Sequence, residues 1–153
     1  MENVVYRKAL PDEYKILSKL AYESEAYWQY SEAFMKNFKA QYSVTEEWIE
    51  LNPVRVLEME ASILGFWGAI VYGEKIELLY FYIKVEYIGK GYGQLLWQDL
   101  LRWCKQQNIL EIEFVTSKQV VSFYKKQGAE IIGETKSEVD GRAIPLLRYI
   151  KKG

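Results

Sequence analysis

Apolar and polar positions alternate in two rhythms along this chain, and the rhythm changes at several of its glycines and prolines. "VVYRKAL", Val4 to Leu10, predicts a first strand. A helix starts at Pro11, where proline fits the first turn and the acidic groups of "PDE" suit the dipole. Ile16, Leu17, Leu20 and Ala21 then recur at helical spacing. A second helix is predicted over Ser31 to Gln41. A short third follows "SVTEEW", where Ser43 and Glu46 match a capping box and Thr45 is a rival cap. Asn52-Pro53 stops it.

Three strands come next, from Val54, from Ile63, and over Lys75 to Val85. Short turns at Ala61-Ser62 and Gly73-Glu74 predict an antiparallel meander. Leu95, Leu96, Leu100 and Trp103 give one apolar face to a long helix ending near Asn108. Leu110 to Thr116 alternates as a strand, and Lys118 to Gly128 reads as a short helix with glycine past its end. A terminal strand pair turns at Asp140-Gly141, and its last strand completes the sheet or forms a dimer edge. The order predicts an α/β fold: a mixed central sheet of about six to seven strands with flanking helices, parallel in the βαβ units after Lys75.

Length sets one domain over residues 1–153. Half of the residues are hydrophobic, enough for a packed core. The 20 basic and 21 acidic side chains form no block of one sign, which argues against nucleic-acid or membrane-surface partners. The longest apolar run, around Ile63 to Tyr72, is too short to span a bilayer, and "MENVVYRKAL" lacks a signal-peptide pattern. With one cysteine, Cys104, no internal disulfide forms, and a cytoplasmic location is expected. The chain contains no histidine, which excludes Ser-His and Cys-His nucleophiles and histidine metal sites. Proton transfer falls to carboxylates, Tyr, Lys, Cys104, the N-terminal amine or water, with no metal expected.

The chemistry is concentrated in "EYIGKGYGQLL", Glu86 to Leu96. A strand ends near Val85 and a helix begins near Gly91, with Gly89, Lys90, Gly91, Tyr92 and Gly93 between them. Successive amides in such a turn make an anion cradle that the helix dipole reinforces, and Lys90 adds charge at its mouth. The expected cargo is a phosphate or pyrophosphate. The spacing matches neither the nucleotide P-loop nor the dinucleotide fingerprint. A plain flexible turn is the simpler alternative.

"YIGKGYGQLL" resembles the acyl-CoA-binding motif of the GCN5-related N-acetyltransferases, a Gln/Arg-x-x-Gly-x-Gly/Ala signature after the fourth strand. "SFYKKQGAEIIGE" resembles the same family's second motif, with Phe-Tyr on a short helix before the sixth strand. The likeness covers Lys75 to Glu134 well and is weak before Val54. Ile88 stands where Gln or Arg is usual, and Ser117 where many members have Asn.

The resemblance implies an N-acetyltransferase of the acyl-CoA N-acyltransferase fold, which moves an acetyl group from acetyl-CoA directly to a primary amine of a small molecule or peptide. By the family pattern, amides from Gly89 to Gly93 hold the pyrophosphate, with Ile88 and Ser117 alongside. The pantetheine arm pairs with the strand edge around Phe81, Ile83 and Val85. Tyr124 is the implied acid, although Val120, Phe123 and Tyr124 also have core spacing. Glu77 is the candidate base, and by strand alternation it shares a face with Leu79, Phe81 and Ile83. In "YESEAYWQYSEAFMKNF", Tyr27, Trp28, Tyr30, Phe34 and Met35 with the acidic Glu23, Glu25 and Glu32 are candidates to cradle a cationic amine in the acceptor pocket, or else are core and a solvated face. The partners are then acetyl-CoA and an amine, with a homodimer as an option. The alternative is a non-catalytic acyl-CoA-binding sensor or scaffold.

Overall fold

A computed structural model describes residues 3–151. Strand β1 (Val4–Lys8) leads through a 3-10 turn at Pro11–Glu13 into α1 (Tyr14–Ala26), α2 (Glu32–Tyr42) and α3 (Glu46–Leu51). The meander β2 (Val54–Met59), β3 (Ser62–Tyr72) and β4 (Lys75–Ile83) follows. Then come α4 (Tyr92–Gln106), β5 (Glu111–Val115), α5 (Val121–Lys126), β6 (Glu130–Lys136) and β7 (Ala143–Ile150). All the strands join one seven-stranded sheet in the order β1-β2-β3-β4-β5-β7-β6. The α/β class, the mixed sheet and the meander stand as expected.

The helices cover both faces, as an α/β sheet requires. Leu96, Trp97 and Leu100 of α4 and Tyr124 of α5 pack with Leu57, Trp67, Leu78 and Ile83 on one side. Leu17, Leu20 and Ala21 of α1 and Ile49 of α3 pack with Val56, Phe66 and Tyr80 on the other. Ile16, one of the predicted apolar positions of α1, is exposed instead. Thr45, not Ser43, caps α3, accepting a hydrogen bond from the Trp48 amide at 3.1 Å.

Strands β4 and β5 are parallel neighbours across α4. The next unit differs from a simple βαβ repeat. Strand β7 inserts between β5 and β6, antiparallel to both, so β5 and β6 are parallel but not adjacent. The last strand therefore completes the sheet, the first of the two alternatives expected for it, and β6 takes the edge. An ion pair ties α4 to the sheet: Asp99 accepts from Arg55 at 2.9 and 3.1 Å and from the Trp67 indole at 3.0 Å. Among the described residues, no helix is long and apolar enough to cross a membrane.

Candidate active site

The three glycines before α4 have separate causes. Gly89 and Gly91 sit at φ of +79° and +89°, in the left-handed region that penalises a Cβ. Gly93 is helical, and a Cβ there would lie 3.1 Å from Cε1 of Phe123. Its bareness lets α5 press against the first turn of α4. Gly91 caps α4 without any side-chain acceptor. Among the described residues, no protein group accepts from the amides of Gly89, Lys90 or Gly91. The first-turn amides of Tyr92, Gly93 and Gln94 have no partner inside the helix by geometry. A run of free donors at a helix N-terminus is suited to a phosphate.

Beyond the turn the sheet opens. The ladder between β4 and β5 holds only from Lys75–Glu77 against Glu111–Glu113. Strand β4 runs on to Ile83, while β5 pairs with β7 through Val115. Tyr124 of α5 packs where the strands part, its ring 4.6 Å from Phe114 and 5.8 Å from both Phe81 and Trp97. A cleft of about 610 Å³ runs from Gly89 and Gly91 past Phe81, Ile83 and Tyr124 to Glu25 and Tyr42. Burial, and after it the charge of Glu25, push the Tyr124 phenol above its ordinary range. It stays neutral and a donor at any physiological pH.

At the far end α1 and α2 line the cleft. Glu25 is half-buried there and makes no hydrogen bond or ion pair among the described residues. Desolvation lifts its pKa to about 7, with Arg142 pulling in the opposite direction. Burial and then the same carboxylate raise Tyr82, while burial, then Glu138, Glu25 and Glu77, raise Tyr42. A carboxylate poised near neutrality at the end of a cleft has the property a general base needs.

Of the residues singled out in the sequence, Trp28, Tyr30, Phe81, Ile83, Ile88, Gly89, Gly91, Gly93, Ser117 and Tyr124 all line this one cleft. Others do not. Val85 belongs to a 3-10 turn at Val85–Tyr87. Lys90 is exposed, with Nζ 6.0 Å from the Tyr87 ring. Tyr92 is buried beneath the turn, edge-on to Tyr87. Met35 lies in a small core with Phe34, Phe38 and Val139.

The face expected for Glu77 requires a correction. Tyr80 pairs with Gly68 but Leu78 pairs with Ala69, so Leu79 is an extra residue, a β-bulge in β4. The bulge reverses the faces. Phe81 and Ile83 join Ile76 and Leu78 on the α4 side, while Tyr80 and Tyr82 pack toward α1 and α2. Glu77 alternates with Ile76 and Leu78, so it lies on the face opposite Phe81 and Ile83.

Sequence reasoning missed Phe38, Tyr42, Tyr82 and Arg142, all of which line the cleft. Of the three acidic residues expected to cradle an amine, Glu25 alone lines it, while Glu23 and Glu32 do not. Glu25 left a signal. It stands four residues after Ala21 and eight after Leu17, where the buried stripe of α1 next falls. Cys104 is buried in α4, and burial pushes its thiol up to about 12, so it is packing rather than a nucleophile.

The match with known proteins agrees with this geometry. The model of the acetyltransferase (GNAT) family matches residues 18–129, and the chain belongs to that family. Solved structures share the fold over nearly the whole length. The PaiA N-acetyltransferase of Thermoplasma acidophilum, in complex with coenzyme A, is 21% identical with a TM-score of 0.77, covering 97% of this chain and 99% of that one. A GCN5-related N-acetyltransferase of Rhodopseudomonas palustris is 16% identical with a TM-score of 0.80, covering 99% and 98%. A ribosomal-protein-alanine N-acetyltransferase of Brucella melitensis is 18% identical with a TM-score of 0.73, covering 96% and 99%. None of the curated proteins compared with the chain matches it.

Proposed function

We propose that this chain, as a single domain, transfers an acetyl group from acetyl-CoA directly to a primary amine. The observation that carries the reading is the continuity of one cleft, from unengaged amides at Gly89–Gly91, along the parted strands, to a neutral phenol and a carboxylate near neutrality. The turn has donors and dipole for the diphosphate, and the open β4 edge has backbone groups for the amide-bearing arm. Acetyl-CoA is a substrate here and supplies the activated acyl group.

Glu25, rather than Glu77, takes a proton from the bound ammonium. The freed nitrogen attacks the thioester carbonyl carbon, the C–S bond breaks, and the electron pair leaves on sulfur. Tyr124 donates a hydrogen bond to sulfur as negative charge grows there. The nitrogen sheds its second proton, sulfur gains one, and the products are the amide, the free thiol and one proton passed by Glu25 to solvent.

The test is calorimetric titration with acetyl-CoA together with thiol release across a panel of primary amines. Binding and release with at least one amine are expected. Binding with no release on any amine leaves an acyl-CoA-binding module, and no binding ends the reading altogether.

A further inference from the structure

The acceptor end of the cleft is built around one wall. Tyr30, Phe34, Phe38 and Tyr42 fall every fourth residue, and all four line the cleft. Their rings follow one another at 4.1, 6.5 and 5.2 Å in near-parallel stacks. Glu25 is the only acidic side chain among the described residues lining the cleft. The wall's outer end is already covered by a cation: the Arg142 guanidinium lies 5.5 Å from the Tyr30 ring and 5.4 Å from the Phe34 ring, and it also pairs with Asp140.

That end is also roofed. The segment between β6 and β7 is fastened to α2, where Asn37 donates to the Val139 carbonyl at 3.3 Å and Val139 packs on Phe34 and Phe38. Tyr30 reaches Gln119 across the mouth at 3.5 Å. These contacts narrow the way in between α2 and this roof, which favours a compact acceptor over an extended polypeptide.

We infer that the acceptor is a small primary monoamine with an aromatic or branched apolar body, its single ammonium on Glu25 and its body on the ring wall. The inference rests on the acetyl-transfer reading above. Glu25 balances one ammonium, whereas the further charges of a polyamine would find no second carboxylate lining the cleft, where Arg142 and Lys126 already stand. The rings favour a cation with adjoining apolar bulk over a short hydrophilic amine.

The test measures kcat/KM by thiol release at saturating acetyl-CoA, using 2-phenylethylamine, 3-methylbutylamine, ethylamine, spermidine and a short peptide with a free N-terminus. Burial of the phenyl group is expected to favour 2-phenylethylamine over ethylamine by roughly 10- to 100-fold. Preference over spermidine and the peptide is expected as well. Tyr42→Ala is expected to shrink the phenylethylamine-to-ethylamine ratio, and because both rates come from one protein, lost stability cancels. A ratio near one, or preference for spermidine or the peptide, overturns this acceptor class and leaves acetyl transfer standing. Release with no amine, acetyl-CoA still binding, overturns both.

Discussion

Burial in an aromatic cluster, and then the charge of Glu25 in the same cleft, hold the Tyr124 phenol neutral. In the proposed reaction the two residues would divide the proton work between them. Tyr124 carries a proton at every physiological pH, and Glu25 is poised to accept one. On that proposal a thiolate forming beside Tyr124 would meet a donor already in place, in buried surroundings where such a bond is strongest. Tyr124→Phe keeps the ring packing and removes only the hydroxyl. We expect kcat to fall about 100-fold with acetyl-CoA affinity within about twofold of wild type, read by thiol release and calorimetry.

The pH profile tests Glu25 separately. With a pKa of about 7 in the free enzyme, Glu25 is charged above pH 7 and protonated below it. In the wild type, kcat/KM for an amine of high pKa should rise through pH 7 and then level off, because Glu25 deprotonates the bound ammonium. In Glu25→Gln the neutral amine must come from solution. Its rate should climb about tenfold per pH unit, with no break at 7, up to the amine's own pKa. A break that persists near 7 in the variant removes Glu25 from the base role.

The same raised pKa predicts a stability cost. Between the ordinary glutamate value of 4.5 and about 7, the folded chain binds more protons at Glu25 than the unfolded chain does. Stability therefore falls as pH rises through this window, and the full penalty applies above pH 7. Glu25→Gln should leave urea stability nearly unchanged at pH 4 and raise it by about 1–2 kcal/mol at pH 8, after allowance for solvent around a half-buried group. Gain of stability with loss of rate is the pattern of a residue kept for function.

The Asp99 network makes the opposite prediction. Asp99 is buried, and Arg55 and the Trp67 indole satisfy it from β2 and β3. Arg55→Ala leaves that carboxylate with only the Trp67 indole and the more distant Arg102, at 3.9 Å, and should cost about 3 kcal/mol in urea unfolding, with acetyl-CoA affinity unchanged once folded. A loss below about 1 kcal/mol means that solvent reaches Asp99 more readily than its burial implies.

How far the sequence revealed this site follows from the physics of each element. The turn at Gly89–Gly93 was legible because positive φ and close approach restrict the residue locally, and glycine marks both. The order of elements was legible because each apolar stripe has its own period. Glu77 was misplaced because one extra residue at Leu79 reverses every side chain beyond it, and that bulge arises from pairing with β3. Glu25, Tyr42 and Arg142 meet only after α1, α2 and the β6–β7 connection close over the sheet. No local pattern encodes that meeting, although the place of Glu25 on the buried stripe of α1 was a hint.

The glycine turn gives the last prediction, because its residues fail in different ways. Gly91→Ala puts a Cβ at φ of +89°, which costs about 1–2 kcal/mol or forces the turn to another shape. If the turn holds the diphosphate, this variant should lose both urea stability and acetyl-CoA affinity, the latter by at least about tenfold. Gly93→Ala keeps an ordinary helical backbone but sets a Cβ 3.1 Å from the Phe123 ring. That ring adjoins Tyr124, with centroids 5.1 Å apart. Its displacement should lower kcat more than it weakens binding, because α5 carries the phenol while the amides stay in place. Adding Phe123→Leu to Gly93→Ala relieves the contact and should restore part of kcat, an effect with no counterpart in Gly91→Ala. Equal losses of binding in both single variants, with no relief from the second change, would refute the division of labour between the turn and the helix it admits.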